Sequence, residues 1–175
     1  NKIEKDIPII VLSQLDKMTE YVIKNLEFYN SSYGNHLINN FRGILSYAIT
    51  FQNEKLIETF SKLMDEYLDD FIEDGFTKDF SSHYQLLVYF WVYDLSELAK
   101  KRSQKNIAKL LNKHLKPLYE KSMFFYSKKS KHLSLFGDIS PDLPPKYLIS
   151  LLDSEYFFNK QYSALHLYKD NHYVG

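Results

Sequence analysis

Apolar residues return at steps of three and four along most of this chain, and that spacing calls for helices rather than strands, whose apolar positions alternate. A first stripe runs Leu15, Met18, Val22, Leu26, and a second Leu37, Phe41, Leu45, Ala48. Leu56, Phe60, Leu63, Tyr67 and Phe71 make a third, Leu87, Trp91, Leu95 and Leu98 a fourth, and Ile107, Leu111, Leu115 and Leu118 a fifth. The spacing predicts an all-α fold, with five amphipathic helices from residue 7 to about residue 126. The punctuation agrees. Pro8 suits a first helical turn, Ser31, Ser32, Tyr33 and Gly34 break the chain, Asn53 is placed to cap the third helix, and Asp74-Gly75 to end it. Ser82 and Gln85 have capping-box spacing at the start of the fourth helix, and Ser103 is placed to cap the fifth.

After residue 127 the pattern changes. Lys128, Lys129, Ser130 and Lys131 lead to Gly137-Asp138-Ile139-Ser140-Pro141-Asp142-Leu143-Pro144-Pro145, too rich in proline for a helix. A short sixth helix is expected over 146–153, and 164–168 has the composition of a strand. Short connections favour antiparallel neighbours, so the second, fourth and sixth helices should run one way and the odd-numbered ones the other. The starts of the even-numbered helices then share a rim. It receives Asn35-His36, Ser82-His83-Tyr84 and the 137–145 loop together. Helix starts carry unpaired N–H groups and partial positive charge, worth about 0.3–1 kcal/mol to an anion at each end. Such a rim suits an acidic ligand.

Length and charge narrow the class. The 175 residues suffice for one domain with a substantial core. The 22 basic and 22 acidic side chains cancel without long blocks of either sign, which argues against a nucleic-acid partner. Any anion site is therefore local, and Arg42, one of two arginines, lies close to the Asn-His segment. The absence of cysteine excludes disulfides, thiolate metal sites and a cysteine nucleophile. No apolar run approaches the roughly 20 residues of a membrane span, and no signal-peptide pattern opens the sequence. Because it begins on Asn rather than Met, it reads as a piece of a longer protein, with the compartment open between periplasm and cytoplasm. Fifteen Tyr, 13 Phe and Trp91 are chiefly core material, although sugars also bind against aromatic faces.

Taken one at a time these polar residues have ordinary explanations: Asn and Gly favour turns and caps, and His83-Tyr84 can be a core contact. Two amides at Asn35 and Asn39, one helical turn apart, carry more weight, because burying them unpaired is costly.

Asn35-His36-Leu37-Ile38-Asn39-Asn40, then Asp74-Gly75-Phe76 with Ser81 and Tyr84, then the 137–145 loop, form an ordered set that resembles the helical domain of the heparinase II/III-like polysaccharide lyases. The likeness spans about residues 10–153. That family, which includes heparin-sulfate and alginate lyases, implies an incomplete α/α toroid of helical hairpins followed by a β-sandwich. On this resemblance 1–153 is the toroid domain, and 154–175 is a linker or the first segment of a β-sandwich domain that the fragment lacks. The implied bacterial activity is β-elimination on glycans containing uronic acid, with no cofactor and no metal. The partners implied are an anionic polysaccharide or oligosaccharide and the β-sandwich domain of the same protein. Asn35 and His36 would polarise the substrate carboxylate and stabilise the enolate-like intermediate. Tyr84 would protonate the leaving oxygen, with the positive helix end and nearby His36 or Arg42 favouring its phenolate. Asn39, Arg42, His83 and Asp138 would bind substrate or shape the cleft. His166, His172 and Tyr173 read as structural or solvent-exposed, and Asp138 and Asp142 as turn formers before they are metal ligands.

Two other readings compete. A toroid glycoside hydrolase needs two opposed carboxyl groups, whereas Asp70, Glu73, Asp74 and Asp79 gather around one helix end. A non-catalytic helical module that binds glycan or protein in surface-polysaccharide assembly shares every structural expectation.

Overall fold

The computed structural model describes residues 7–28, 34–127, 129–130 and 132–139. The expected sixth helix, the 164–168 strand, the 153/154 boundary, Asp142, His166, His172 and Tyr173 lie outside these residues.

Five helices appear among the described residues: α1 (Ile9–Lys24), α2 (Asn35–Phe51), α3 (Glu54–Phe71), α4 (Ser82–Lys101) and α5 (Lys105–Ser122). The chain is mostly helical, as the periodicity requires. The stripes of α2 to α5 form one core, with Phe41, Leu45, Met64, Leu68, Phe71, Leu86, Leu95, Leu111 and Leu118 essentially inaccessible. α1 differs. It buries no residue completely, and Met18, placed in its apolar stripe by spacing, is 63% exposed.

Side-chain bonds fix the directions. The Tyr67 hydroxyl, late in α3, accepts from the Gly34 N–H at 2.9 Å and donates to the Gly34 carbonyl at 3.1 Å, so α2 and α3 are antiparallel. Gln85 reaches the Leu118 carbonyl and Ser96 donates to Asn112 at 2.9 Å, so α4 and α5 are antiparallel too. Asn35 meets Asp79 just before α4, and Arg42 lies over Trp91, so α2 and α4 run side by side in one direction. Two helical hairpins thus stack with the starts of α2 and α4 adjacent.

The caps depart from the expected pattern in detail. Asn53 does cap α3, accepting from the Leu56 N–H at 3.1 Å. Past α3 the chain forms a two-residue hairpin, β1 (Ile72–Glu73) with β2 (Phe76–Thr77), turned by Asp74 and Gly75 at φ 49° and 86°. Positive φ at both turn positions matches the strand twist, which is why an Asp-Gly pair sits there. The cap of α4 is Ser81, not Ser82: its backbone is extended and its Oγ accepts from the Tyr84 N–H at 3.2 Å. Gln85 does not return to the cap but binds the hairpin, accepting from the Thr77 N–H and donating to the Gly75 carbonyl. Ser103 does not cap α5 either; it adopts φ 61°, and Gln104 occupies the cap position without a side-chain bond. After a 3-10 turn at Met123–Phe125, β3 (Tyr126–Ser127) pairs with β4 (His132–Leu133).

Candidate functional site

The segment after β4 returns to the start of α4. Ser82 N–H donates to the Phe136 carbonyl at 3.0 Å, Phe136 N–H donates to Ser82 Oγ at 2.9 Å, and Ser81 Oγ donates to the Asp138 carbonyl. Gly137 makes this approach possible. Its φ is 74°, and a Cβ there would lie 2.2 Å from the Phe80 carbonyl oxygen. The start of α2 joins the same place through the Asn35 amide, which donates to Asp79 Oδ2 at 3.2 Å across 44 positions of sequence. Asn35, Asp79, Ser81, Tyr84 and Asp138 are therefore linked at one end of the α2–α4 pair.

Asn35 is 8% exposed, and its backbone N–H also bonds the Asp79 carboxyl. Asp79 is thus an anion already seated on the start of α2, where no side chain of the Gly34 cap serves. Burial pushes its carboxyl up to about 6; the two bonds from Asn35 and the nearby His36 oppose that rise, while Asp138 adds to it. His36 is mostly exposed, and its Nδ1 lies 2.8 Å from Glu27 Oε2. Tyr84 is half-buried in the first turn of α4, its ring edge-on to His83 with centroids 5.6 Å apart. His83 is fully buried, packed against that ring. Asp138 is exposed, and its Oδ1 accepts from the Ile139 N–H at 2.8 Å.

Arg42 and Asn39 lie farther along α2. Arg42 Nε donates to Asn39 Oδ1 at 3.1 Å, its guanidinium lies 5.6 Å from the centre of the Trp91 ring, and Asp94 is its charged neighbour. Trp91 is seven residues beyond Tyr84, about 10 Å along a helix. These contacts direct Arg42 along the helix pair rather than toward the start of α4.

Of the acidic group weighed for hydrolysis, Asp70 pairs with Lys78 at 3.2 Å, Asp74 forms the hairpin turn, and Asp79 is the member bonded to Asn35. The importance of Asp79 was not readable from spacing, because its partner is distant in sequence. A second cluster is equally distant in sequence: Asp65, Asp69 and His114 bring ligand atoms within 4.8 Å of one another between α3 and α5. Its signal was the i, i+4 pair of aspartates. Lys113 Nζ already bridges both carboxylates, and the buried His114 imidazole, its pKa lowered chiefly by burial, lies 3.4 Å from Asp65. The cluster is accounted for as an ion-pair network joining two helices.

The chain matches no family model, no curated protein and no solved structure.

Proposed function

We propose that the α2–α4 rim is part of a polysaccharide lyase site acting on uronic-acid glycans, and that this chain is the toroid portion of a longer enzyme. The observation that carries the reading is the meeting of Asn35 with the Asp79-to-Tyr84 turn, two segments that the resemblance to heparinase II/III-like lyases makes functional together. In β-elimination a base takes the C5 proton, its electron pair forms the C4–C5 double bond, and the C4–O bond breaks onto an oxygen that receives a proton. Asn35 would hold the substrate carboxylate by its amide while charge develops on it. His36, beside it and steadied by Glu27, would add a further donor. Tyr84 would supply the proton to the leaving oxygen. Asn39, Arg42 and Trp91 would line the next sugar position along the helices, where an aromatic face and an arginine suit an acidic pyranose.

The decisive assay is incubation of the full-length protein with a panel of uronate polymers, following ultraviolet absorbance from the new conjugated double bond. Absorbance should rise on at least one polymer, and Asn35→Ala should reduce the rate by about 10²–10³. A rise in reducing ends without absorbance would instead establish hydrolysis. Polymer bound but left intact would establish the non-catalytic module.

A further inference from the structure

The position an acidic ligand would take on the start of α2 is occupied by a carboxyl group of the chain itself. Asp79 receives the Asn35 side-chain amide at 3.2 Å and the Asn35 backbone N–H as well. A second carboxylate brought to Asn35 therefore comes against Asp79. Two carboxylates at hydrogen-bond distance cannot both remain ionised; they share a proton or separate.

The charged neighbours do not remove the conflict. On α2, His36 is engaged by Glu27. In its own turn, Lys78 is paired with Asp70. From the segment after β4, Asp138 adds negative charge. Arg42 lies against Trp91 and Asp94, farther along the helices.

We propose that Asp79 is a specificity-determining residue of this rim, which takes up a proton on receiving a uronate carboxylate and donates it back as a hydrogen bond, holding the acidic sugar beside Asn35 in a carboxyl–carboxylate pair that carries one negative charge instead of two. The inference rests on the lyase reading, because it requires a uronate at Asn35. It also supplies what that chemistry needs, since a hydrogen bond from the Asp79 carboxyl offsets part of the charge that keeps the C5 proton weakly acidic. Burial of Asp79 keeps the proton accessible near neutral pH.

The test is calorimetric titration of uronic-acid trisaccharides and neutral trisaccharides into the full-length protein from pH 5.5 to 8, in a Tyr84→Phe background that blocks turnover. Each pH is repeated in two buffers of different ionisation heat, which counts protons taken up. Uptake should approach one proton per bound uronate above the titration of Asp79, with affinity falling about tenfold per pH unit. Asp79→Asn, a neutral isostere that keeps a donor, should bind uronate with the slope and the proton uptake gone. Uronate binding without proton uptake, or a slope that survives in Asp79→Asn, overturns the role of Asp79 and leaves the uronate site standing. Failure of every uronate to bind at any pH, or equal binding of neutral sugars, overturns both. The proton count is made with Asp79 intact, so it decides the matter even where the second variant does not fold.

Discussion

At the scale of single residues, two titrating groups, the half-buried Asp79 and the buried His114, pull stability in opposite directions. Asp79 titrates at about 6 when folded, against an ordinary 3.8, so the folded chain keeps a proton that the unfolded chain has lost. Stability from this group is fully present below about pH 4, declines as pH rises, and is gone above about pH 6. Asp79→Asn should therefore stabilise the protein at pH 7–8 by up to about 2 kcal/mol, after discounting for partial exposure, and least near pH 4. Thermal melts across that range check this; an offset independent of pH would mean that Asp79 does not titrate as described. His114 has the reverse sign. Burial lowers its pKa below the usual 6.5, so its contribution is present above pH 6.5 and is lost as pH falls through the lowered value. His114→Gln should flatten the acid-side decline in melting temperature, and an unchanged decline would place its cause elsewhere.

At the scale of elements, the start of α4 is where most of the rim is assembled, and its bonds are few enough to test singly. Gln85 accepts from the Thr77 N–H and donates to the Gly75 and Leu118 carbonyls, tying the hairpin to both α4 and α5. Gln85→Leu leaves these groups without that partner and should destabilise by about 2–4 kcal/mol, read as a lower denaturation midpoint with an unchanged slope. A loss under about 0.5 kcal/mol would mean that the surrounding groups re-pair. Helix existence here was legible because the stripes of α2 to α5 all pack on the core, although its inaccessible residues also include Met64, Leu68 and Leu86, which lie beside those stripes. The caps were less legible. Ser81 and Ser82 are equivalent choices on paper, and only the extended backbone at Ser81 decides between them. Gln85 fits a capping box by spacing, yet the hairpin, whose existence depends on tertiary contacts with α5, draws its amide away. Ser103 likewise has the composition of a cap without serving as one: its left-handed backbone turns the chain and leaves the cap position to Gln104.

At the scale of the whole molecule, the shared rim was legible in advance because short connections fix alternate helix directions, and α2 and α4 do run together from adjacent starts. What periodicity could not reach was Asp79, whose contact with Asn35 depends on how two hairpins stack. The same limitation explains α1. Its spacing is as helical as that of the others, but it packs chiefly on α2, with Ile9, Ile10 and Tyr21 at 85%, 68% and 69% exposure. The Tyr47 hydroxyl donates to the Asp16 carboxylate, and this exposed bond adds little to the docking of α1 on α2. An element that buries no residue fully opens at a smaller free energy than one lined by inaccessible side chains. Backbone amides in α1 should therefore exchange with deuterated solvent at least about a hundredfold faster than those in the middle of α4, under conditions where the core stays folded. Equal protection of α1 and α4 would mean that α1 unfolds only with the whole domain, and that its thin contact with α2 is stronger than its burial implies. Because Glu27 follows α1 and holds His36, the same measurement bears on the rim: rapid opening of α1 with protected amides at the start of α2 would place the anchoring of Asn35 in Tyr67 and Asp79 rather than in α1.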